Sequence, residues 1–411
     1  MLKRRLVLSV VPLVVAGMAL SACGSSSNKT SNSGSSSTAS NGGSGGEKPT
    51  FKIAYQGPLS GGNAQLGLNM KFAVELAINE ANAAGDLPFK LEYTESDDQG
   101  DGKVSPTAAR KLIDDKSVIA VVGPAFSGAT KAAEPLFADA KLATVSPSAT
   151  SPTLADGGWA SFFRVVADDN AQGPADADYA VKKLGAKNIY VIDDASAYGQ
   201  PLSKAFADQA KTDGAQVTSE SAPGTTQCQA GQGNAQQYPA LATKIKGSGA
   251  DSVFYAGYYC DFALLTKALR NAGYTGQLMS GDGSYDSTYV KNAGAKNAEG
   301  TFLSCQCSDI ASNPKGADFV SAYKAEFGQD PGAYSAEAYD VTNAIIEVLK
   351  GLGDSPTREK VVEAFGSVDY QGLTKEIKFK ADHDLEVQTA FLYKVDAGKL
   401  KYLGDLTDLT K

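Results

Sequence analysis

Apolar and polar residues along this 411-residue chain fall into three successive patterns. Positions 6–20 form an apolar run, positions 24–46 are nearly all Ser, Gly, Asn and Thr, and from Pro49 onward short β-branched runs alternate with longer amphipathic ones. The short runs at 51–55, 89–94, 118–122, 188–192, 252–255 and 277–280 predict strands. The amphipathic stretches 67–84, 130–140, 176–184, 202–212, 235–246, 262–271, 319–327 and 335–350 predict helices; in the first of them Phe72 and Leu76, then Val74 and Ile78, recur at a spacing of four. Alternation of strand and helix implies parallel sheets covered by helices on both faces. The order breaks near 165–172 and a second β-α series follows, so two α/β lobes are expected, closed by a terminal hairpin at 386–395 and 400–403.

The ends of the first pattern identify it. Lys3, Arg4 and Arg5 precede the apolar run and small residues follow it. At about 15 residues the run is shorter than the roughly 20 needed to cross a bilayer, so it reads as an export signal cleaved off the mature chain. Leu20-Ser21-Ala22-Cys23 resembles a bacterial lipobox, which implies that Cys23 becomes the acylated first residue and that the protein is held to the extracytoplasmic face of the membrane by lipid. The Ser/Gly segment behind it reads as a disordered tether.

Charge and cysteine content narrow the class. Loss of three basic residues and no acid with the signal takes the net charge from −8 to −11, and an acidic surface argues against nucleic acid as a partner. Four further cysteines, Cys228, Cys260, Cys305 and Cys307, are an even number in an exported chain and predict two disulfides, Cys228 with Cys260 and Cys305 with Cys307. The Cys-x-Cys pair is a tight closure, so free or exchanged partners stay open. A zinc site is the rival, without the two close pairs of a ribbon.

Eight segments then carry a resemblance in order. Ile53-Ala-Tyr-Gln-Gly-Pro-Leu-Ser-Gly61, Val122-Gly-Pro-Ala-Phe-Ser-Gly128, Val145-Ser-Pro-Ser-Ala-Thr-Ser-Pro152 and Phe162-Phe-Arg164 are followed by Asp193-Asp-Ala-Ser-Ala-Tyr-Gly199, Phe254-Tyr-Ala-Gly-Tyr-Tyr259, Gly281-Asp-Gly283 and Tyr334-Ser-Ala-Glu-Ala-Tyr-Asp340. Together they resemble the leucine/isoleucine/valine-binding proteins. The resemblance implies the type I periplasmic-binding-protein fold: two doubly wound parallel-sheet lobes, joined by a hinge of several crossovers, with the ligand between them. It also implies that the protein binds an amino acid, branched-chain or related, for the permease subunits of an ABC transporter. The expected division is a signal peptide over 1–22, acylated Cys and tether over 23–49, a first lobe from 50–168 plus 299–377, and a second lobe from 169–298 plus 378–411.

Site residues follow position by position. The resemblance implies that Ser127 and Thr150 hold the ligand carboxylate and that Ser148 offers a backbone carbonyl to its ammonium. Ser127 also precedes a helical run, where an anion would meet the positive end of a helix dipole, although the same residue could simply cap its own helix. Asp282 stands where relatives place a carboxylate against the α-ammonium; the alternative is a turn Asp between two glycines. As a loop carboxylate beside an open cleft, it is expected to matter little to the unliganded fold. Tyr198, Tyr258 and Tyr334 match aromatics lining the cleft, and Phe126 and Leu66 are expected against the ligand side chain. Leu66 departs from the aromatic of relatives, which leaves strictly branched-chain specificity open.

Catalysis has little to stand on. The sole histidine, His383, sits in the polar turn Lys380-Ala-Asp-His-Asp384, and the sequence holds no G-x-S-x-G, Walker A, G-x-G-x-x-G or H-E-x-x-H motif. No enzyme activity, cofactor or metal is expected. A receptor subunit for a membrane signalling protein, or a binder of a short amide or urea-like solute, would use the same domain and remain as alternatives.

Overall fold

The computed structural model describes residues 48–224, 236–387 and 389–411. The signal peptide, Cys23, the tether up to residue 47 and Cys228 lie outside the described residues.

Strands β1 (Thr50–Gly57), β2 (Lys90–Asp97), β3 (Val118–Val122), β4 (Ala143–Ser146) and β5 (Phe162–Arg164) form a parallel sheet in the order β2-β1-β3-β4-β5. The first three connections are helical: α1 (Ala64–Ala84), α2 (Ser105–Asp114) and α3 (Ser127–Asp139). Successive side chains of a strand point to opposite faces, and β1 separates them cleanly. Ile53 and Tyr55 enter the core that includes Leu76 of α1, whereas Ala54 faces Ala109, Leu112 and Phe137 on the other side. Each large apolar side chain buried in this way stabilises the lobe by about 1.5–3 kcal/mol.

After β5 the chain crosses over through α4 (Asp169–Asp178), whose first N–H groups are capped by the Asp168 carboxylate. The second lobe repeats the first. Strands β6 (Asn188–Asp193), β7 (Gln216–Ser221), β8 (Ser252–Ala256), β9 (Gln277–Ser280) and β10 (Phe302–Cys305) lie parallel in the order β7-β6-β8-β9-β10, the same winding as β2-β1-β3-β4-β5. Helices α5 (Gly199–Thr212), α6 (Gln237–Gly247), α7 (Tyr259–Asn271), α8 (Ser287–Ala293) and α9 (Ala295–Ala298) connect them. Alternation again sorts the faces, with Val253 and Tyr255 on one side of β8 and Phe254 and Ala256 on the other.

The chain then returns to the first lobe as α10 (Ala317–Phe327), α11 (Ser335–Leu352) and α12 (Arg358–Phe365). Of these, α10 and α11 pack on α1, and α12 packs on β3 and β4. A two-stranded ribbon, β11 (Tyr370–Gln371) with β12 (Glu376–Ile377), precedes the last crossover. The predicted hairpin, β13 (Phe391–Asp396) and β14 (Lys399–Asp405), extends the second sheet antiparallel from β10, and α13 (Leu406–Thr410) packs on α4. One boundary is corrected. The return to the first lobe was expected at residue 299, but β10 pairs with β9 and β13, so the chain stays in the second sheet through Cys305.

The crossovers are pinned by buried charge. Arg164, at the end of β5, donates through Nε and Nη2 to the Asp384 carboxylate and through Nη1 to the Ser151 carbonyl at 2.8 Å. His383 stacks on Phe163 with ring centroids 4.2 Å apart, and its Nδ1 lies 2.9 Å from the Phe162 carbonyl. Cys305 and Cys307 are disulfide-bonded at the start of the second crossover, with Cα atoms 5.0 Å apart. Cys260 is also disulfide-bonded.

Candidate ligand-binding site

In a doubly wound sheet the strand order reverses at one point, and the loops leaving the carboxyl ends of the strands there diverge to leave a crevice. The reversal falls between β1 and β3 in one sheet and between β6 and β8 in the other. The corresponding loops of the two lobes meet. Phe126, before α3, stacks on Tyr258, before α7, with ring centroids 4.3 Å apart and planes 21° from parallel. Beside them the Cys260 N–H donates to Asn63 Oδ1 at 3.3 Å and the Gln65 N–H donates to the Tyr259 hydroxyl at 3.3 Å.

Behind the stack lies a small, nearly closed cavity. Leu66, Met70, Phe126 and Tyr258 form its apolar wall; Ser127, Ser148, Tyr198, Asp282, Gly283 and Tyr334 complete it. Every residue named from the sequence for ligand contact therefore lines this one space, apart from Thr150. Thr150 is fully buried behind the wall, and its carbonyl accepts from the Asp169 N–H at 3.0 Å. A larger groove of about 720 Å³ borders Gln65, Asn69 and Asp286 on a neighbouring face of α1, but it is open to solvent and away from the reversal points of the sheets.

Helix starts aim the wall residues. Phe126, Tyr198, Tyr258 and Tyr334 each occupy the N-cap position of a helix (α3, α5, α7 and α11), and none caps it with its side chain. Ser, Thr, Asp and Asn are favoured there; aromatic residues instead bring rings and the positive ends of helix dipoles to the cavity. Tyr334 takes a left-handed φ of 63°, which costs an L-residue about 1–2 kcal/mol. Ser127 is the first residue of α3, not its cap; its Oγ accepts from the Ser151 N–H at 3.1 Å. Ser148 donates to the Ala125 carbonyl at 2.7 Å.

The cavity wall also carries a buried carboxyl group. Asp282 is 3% exposed; its Oδ1 accepts from the Tyr198 hydroxyl and its Oδ2 from the Tyr334 hydroxyl, each at 2.7 Å. With the Gln172 amide oriented to satisfy both ends, its NH₂ donates to Asp282 Oδ1 at 2.9 Å and its oxygen accepts from the Asp282 N–H at 3.1 Å. Burial pushes the Asp282 carboxyl above the ordinary range, against the pull of the two phenols. Asp169, the first residue of α4, is pushed well up by its own burial and then by the charge of Asp282. Neither of its carboxylate oxygens has a hydrogen-bond partner, and the Thr150 hydroxyl beside it also has none of bonding geometry. Burial and these carboxylates hold Tyr198, Tyr258 and Tyr334 as neutral phenols. Sequence reading passed over Met70, Gly283 and Asp169. Met70 lies one turn beyond Leu66 on the same face of α1, and the pair Asp168-Asp169 at a helix start was the trace of the third.

A family model for the periplasmic binding proteins matches residues 50–399. The chain belongs to this family. Among curated relatives, this binding protein is 28% identical over 339 residues to the "Leucine-, isoleucine-, valine-, threonine-, and alanine-binding protein" of Pseudomonas aeruginosa, covering 82% of this chain and 87% of the relative. It is 28% identical over 319 residues to the Leu/Ile/Val-binding protein of Escherichia coli, covering 77% and 84%. Among solved structures, the branched-chain amino acid transporter substrate binding protein LivJ of Streptococcus pneumoniae in complex with isoleucine superposes with a TM-score of 0.77 at 27% identity, covering 86% of this chain and 99% of that one. The type I periplasmic-binding-protein fold follows from both observations. Among the described residues, no group of three or more His, Cys, Asp or Glu side chains could hold a metal ion, and no helix is long and apolar enough to cross a membrane.

Proposed function

We propose that this binding protein captures an L-α-amino acid with a small or branched apolar side chain and presents it to the permease subunits of an ABC transporter. One observation carries the reading: a single buried cavity is lined both by the Asp282 carboxyl, with Asp169 behind it, and by a helix N-terminus with the Ser127 hydroxyl. A buried carboxylate without a counter-charge is costly, and Asp282, whose partners are phenols and an amide, would be relieved by an ammonium. The start of α3 and the Ser127 hydroxyl suit a carboxylate. A zwitterion matches both groups at once, and Leu66, Met70, Phe126 and Tyr258 are left for an apolar side chain. In this reading Ser148 contributes its carbonyl to the ammonium, Thr150 supports the polar wall from behind, and Cys23 carries the lipid that keeps the protein on the outer face of the membrane. The role is capture and release, without chemistry on the ligand.

Titration calorimetry and thermal shift on the mature protein, screened over the amino acids, short amides and urea-like compounds, test the proposal. Stabilisation by an apolar L-amino acid, and none by the corresponding amide or amine, is expected. Binding of an uncharged amide in preference to every amino acid would overturn it.

A further inference from the structure

We propose that Asn69 and Asp286 form a clasp between the lobes, outside the ligand cavity, that sets how firmly the cleft stays shut irrespective of the side chain held inside. The proposal rests on the solute-capture reading only in taking closure as the event controlled.

Asn69 is fixed to the first lobe. Its backbone carbonyl accepts from the hydroxyls of Tyr323 and Ser335, each at 3.0 Å, and its Oδ1 accepts from Gln65 Nε2 at 2.8 Å. The backbone of Gly332 packs so closely that a Cβ there would lie 2.3 Å from Asn69 Nδ2. Asp286 is fixed to the second lobe as the cap of α8, its Oδ1 accepting from the Thr288 N–H at 2.7 Å. That leaves one group on each side, and they meet: Asn69 Nδ2 donates to Asp286 Oδ2 at 3.0 Å, with the residues 2% and 4% exposed.

Such a pair discriminates between open and closed lobes. Separated, the amide and the carboxylate are rehydrated and lose little; closed, each satisfies the other away from water. Deleting one partner leaves the open state comfortable and strands a buried group in the closed state. The pair also sits on a different face of α1 from the cavity wall. Leu66 and Met70 face the cavity, whereas Gln65 and Asn69 face the open groove. A change at the clasp therefore moves the closing equilibrium without reshaping the wall that reads the side chain, and a pre-equilibrium of this kind scales every affinity by one factor.

The experiment compares wild type, Asn69→Ala, Asp286→Asn and the double variant. Asp286→Asn keeps an acceptor for the Thr288 N–H but turns a second NH₂ toward Asn69, so it opens the clasp while leaving α8 capped. Titrations with L-leucine, L-valine and L-alanine should show each single variant weaker by roughly ten- to hundredfold, by the same factor for every amino acid that wild type binds, with faster release. The double variant should be no weaker than the sum of the singles and closer to either alone. Unequal factors among the amino acids, unchanged affinity, or strict additivity would overturn the clasp. Electron-spin distance measurements between labels on an exposed helix of each lobe, made without added solute, provide the arm that needs no ligand: the closed fraction should be smaller in both single variants than in wild type. If wild type binds none of the amino acids, the proposed function fails and this arm alone judges the clasp, equal closed fractions overturning it.

Discussion

The hydroxyl of Tyr334 donates to Asp282 Oδ2 at 2.7 Å across the cleft, although Tyr334 opens a helix packed on the first lobe and Asp282 follows a strand of the second sheet. Asp282 is thus both the acid expected to meet the ligand ammonium and a bridge between lobes, and the residue that reaches it does so from a left-handed backbone conformation.

Asp282→Ala is expected to lower affinity for the cognate amino acid by about 2–5 kcal/mol, roughly thirty- to several-thousandfold, because it removes one member of a buried charge pair. Asp282→Asn keeps an acceptor and should lose less. The expectation that this residue matters little to the unliganded fold is corrected by its burial. Removing the carboxylate leaves the Tyr198 hydroxyl without its acceptor and the Tyr334 hydroxyl with only Gln306 Oε1 at 3.2 Å, at a cost of about 1–3 kcal/mol. Calorimetric titration and melting of the unliganded variants measure the two effects separately; near-wild-type affinity in Asp282→Ala would mean that the amine is held elsewhere.

Gly67 lies in the first turn of α1, between Leu66 and the rest of the helix, and a Cβ there would fall 1.8 Å from the Pro58 carbonyl oxygen. Backbone against backbone cannot give by a side-chain rotation, so Gly67→Ala must displace the start of α1 and, with it, Leu66 and Met70. The helix-propensity gain of Ala over Gly, about 1 kcal/mol, is too small to offset that clash. Loss of melting temperature together with weakened ligand binding is the expected result; a variant as stable as wild type would show that the loop after β1 moves freely.

Glu134 of α3 is buried in the first lobe, with Oε2 accepting from the Thr144 hydroxyl at 2.9 Å and Oε1 without a partner. Burial pushes its carboxyl up to about 8 from the ordinary 4.5. The folded protein therefore holds this proton more tightly than the unfolded chain. Its contribution to stability is fully present below pH 4.5 and is lost as pH rises through about 8, with a slope of at most about 1.4 kcal/mol per pH unit. Unfolding midpoints in denaturant between pH 5 and 9 should fall more steeply for wild type than for Glu134→Gln, which carries no proton to lose. Parallel profiles would exclude Glu134 as the source.

The elements most legible in the sequence were those with one dominant environment. Strands such as Val118–Val122, buried on both faces, read as continuous apolar runs, and α1 repeats its apolar residues along one face. Edge strand β7 did not stand out, because Gln216–Ser221 is largely exposed and polar and is held by its ladder to β6. β10 was assigned to the wrong side of a crossover, since four apolar and small residues carry no mark of which sheet they join. The cavity was legible because ordered motifs, not single residues, pointed to it. Asp169 was not, since an acid in the first turn of a helix has an ordinary explanation in the helix dipole, and only packing reveals that its oxygens are buried beside Asp282.

The Phe126–Tyr258 stack yields the last prediction, because the same two rings border both the inner cavity and the outer mouth of the cleft. Each ring belongs to one lobe, so the stack exists only when the lobes meet, and in the proposed function it stands between the ligand side chain and solvent. Phe126 fits against Gly100, where a Cβ would come within 2.5 Å of the ring and where the backbone φ of 69° already favours glycine. Phe126→Ala removes the ring from the closed state and joins the cavity to the mouth. The aromatic contact itself contributes about 0.5–1.5 kcal/mol beyond area, and the lost burial adds more, so small amino acids should bind at least tenfold more weakly, mainly through faster release. A longer side chain should lose less, since it extends into the space vacated. Titration of Phe126→Ala with L-alanine, L-leucine and L-phenylalanine reads this as a change in rank, in contrast to the uniform factor expected at Asn69 and Asp286. A uniform loss at Phe126 would mean that its ring serves closure alone and takes no part in limiting side-chain size.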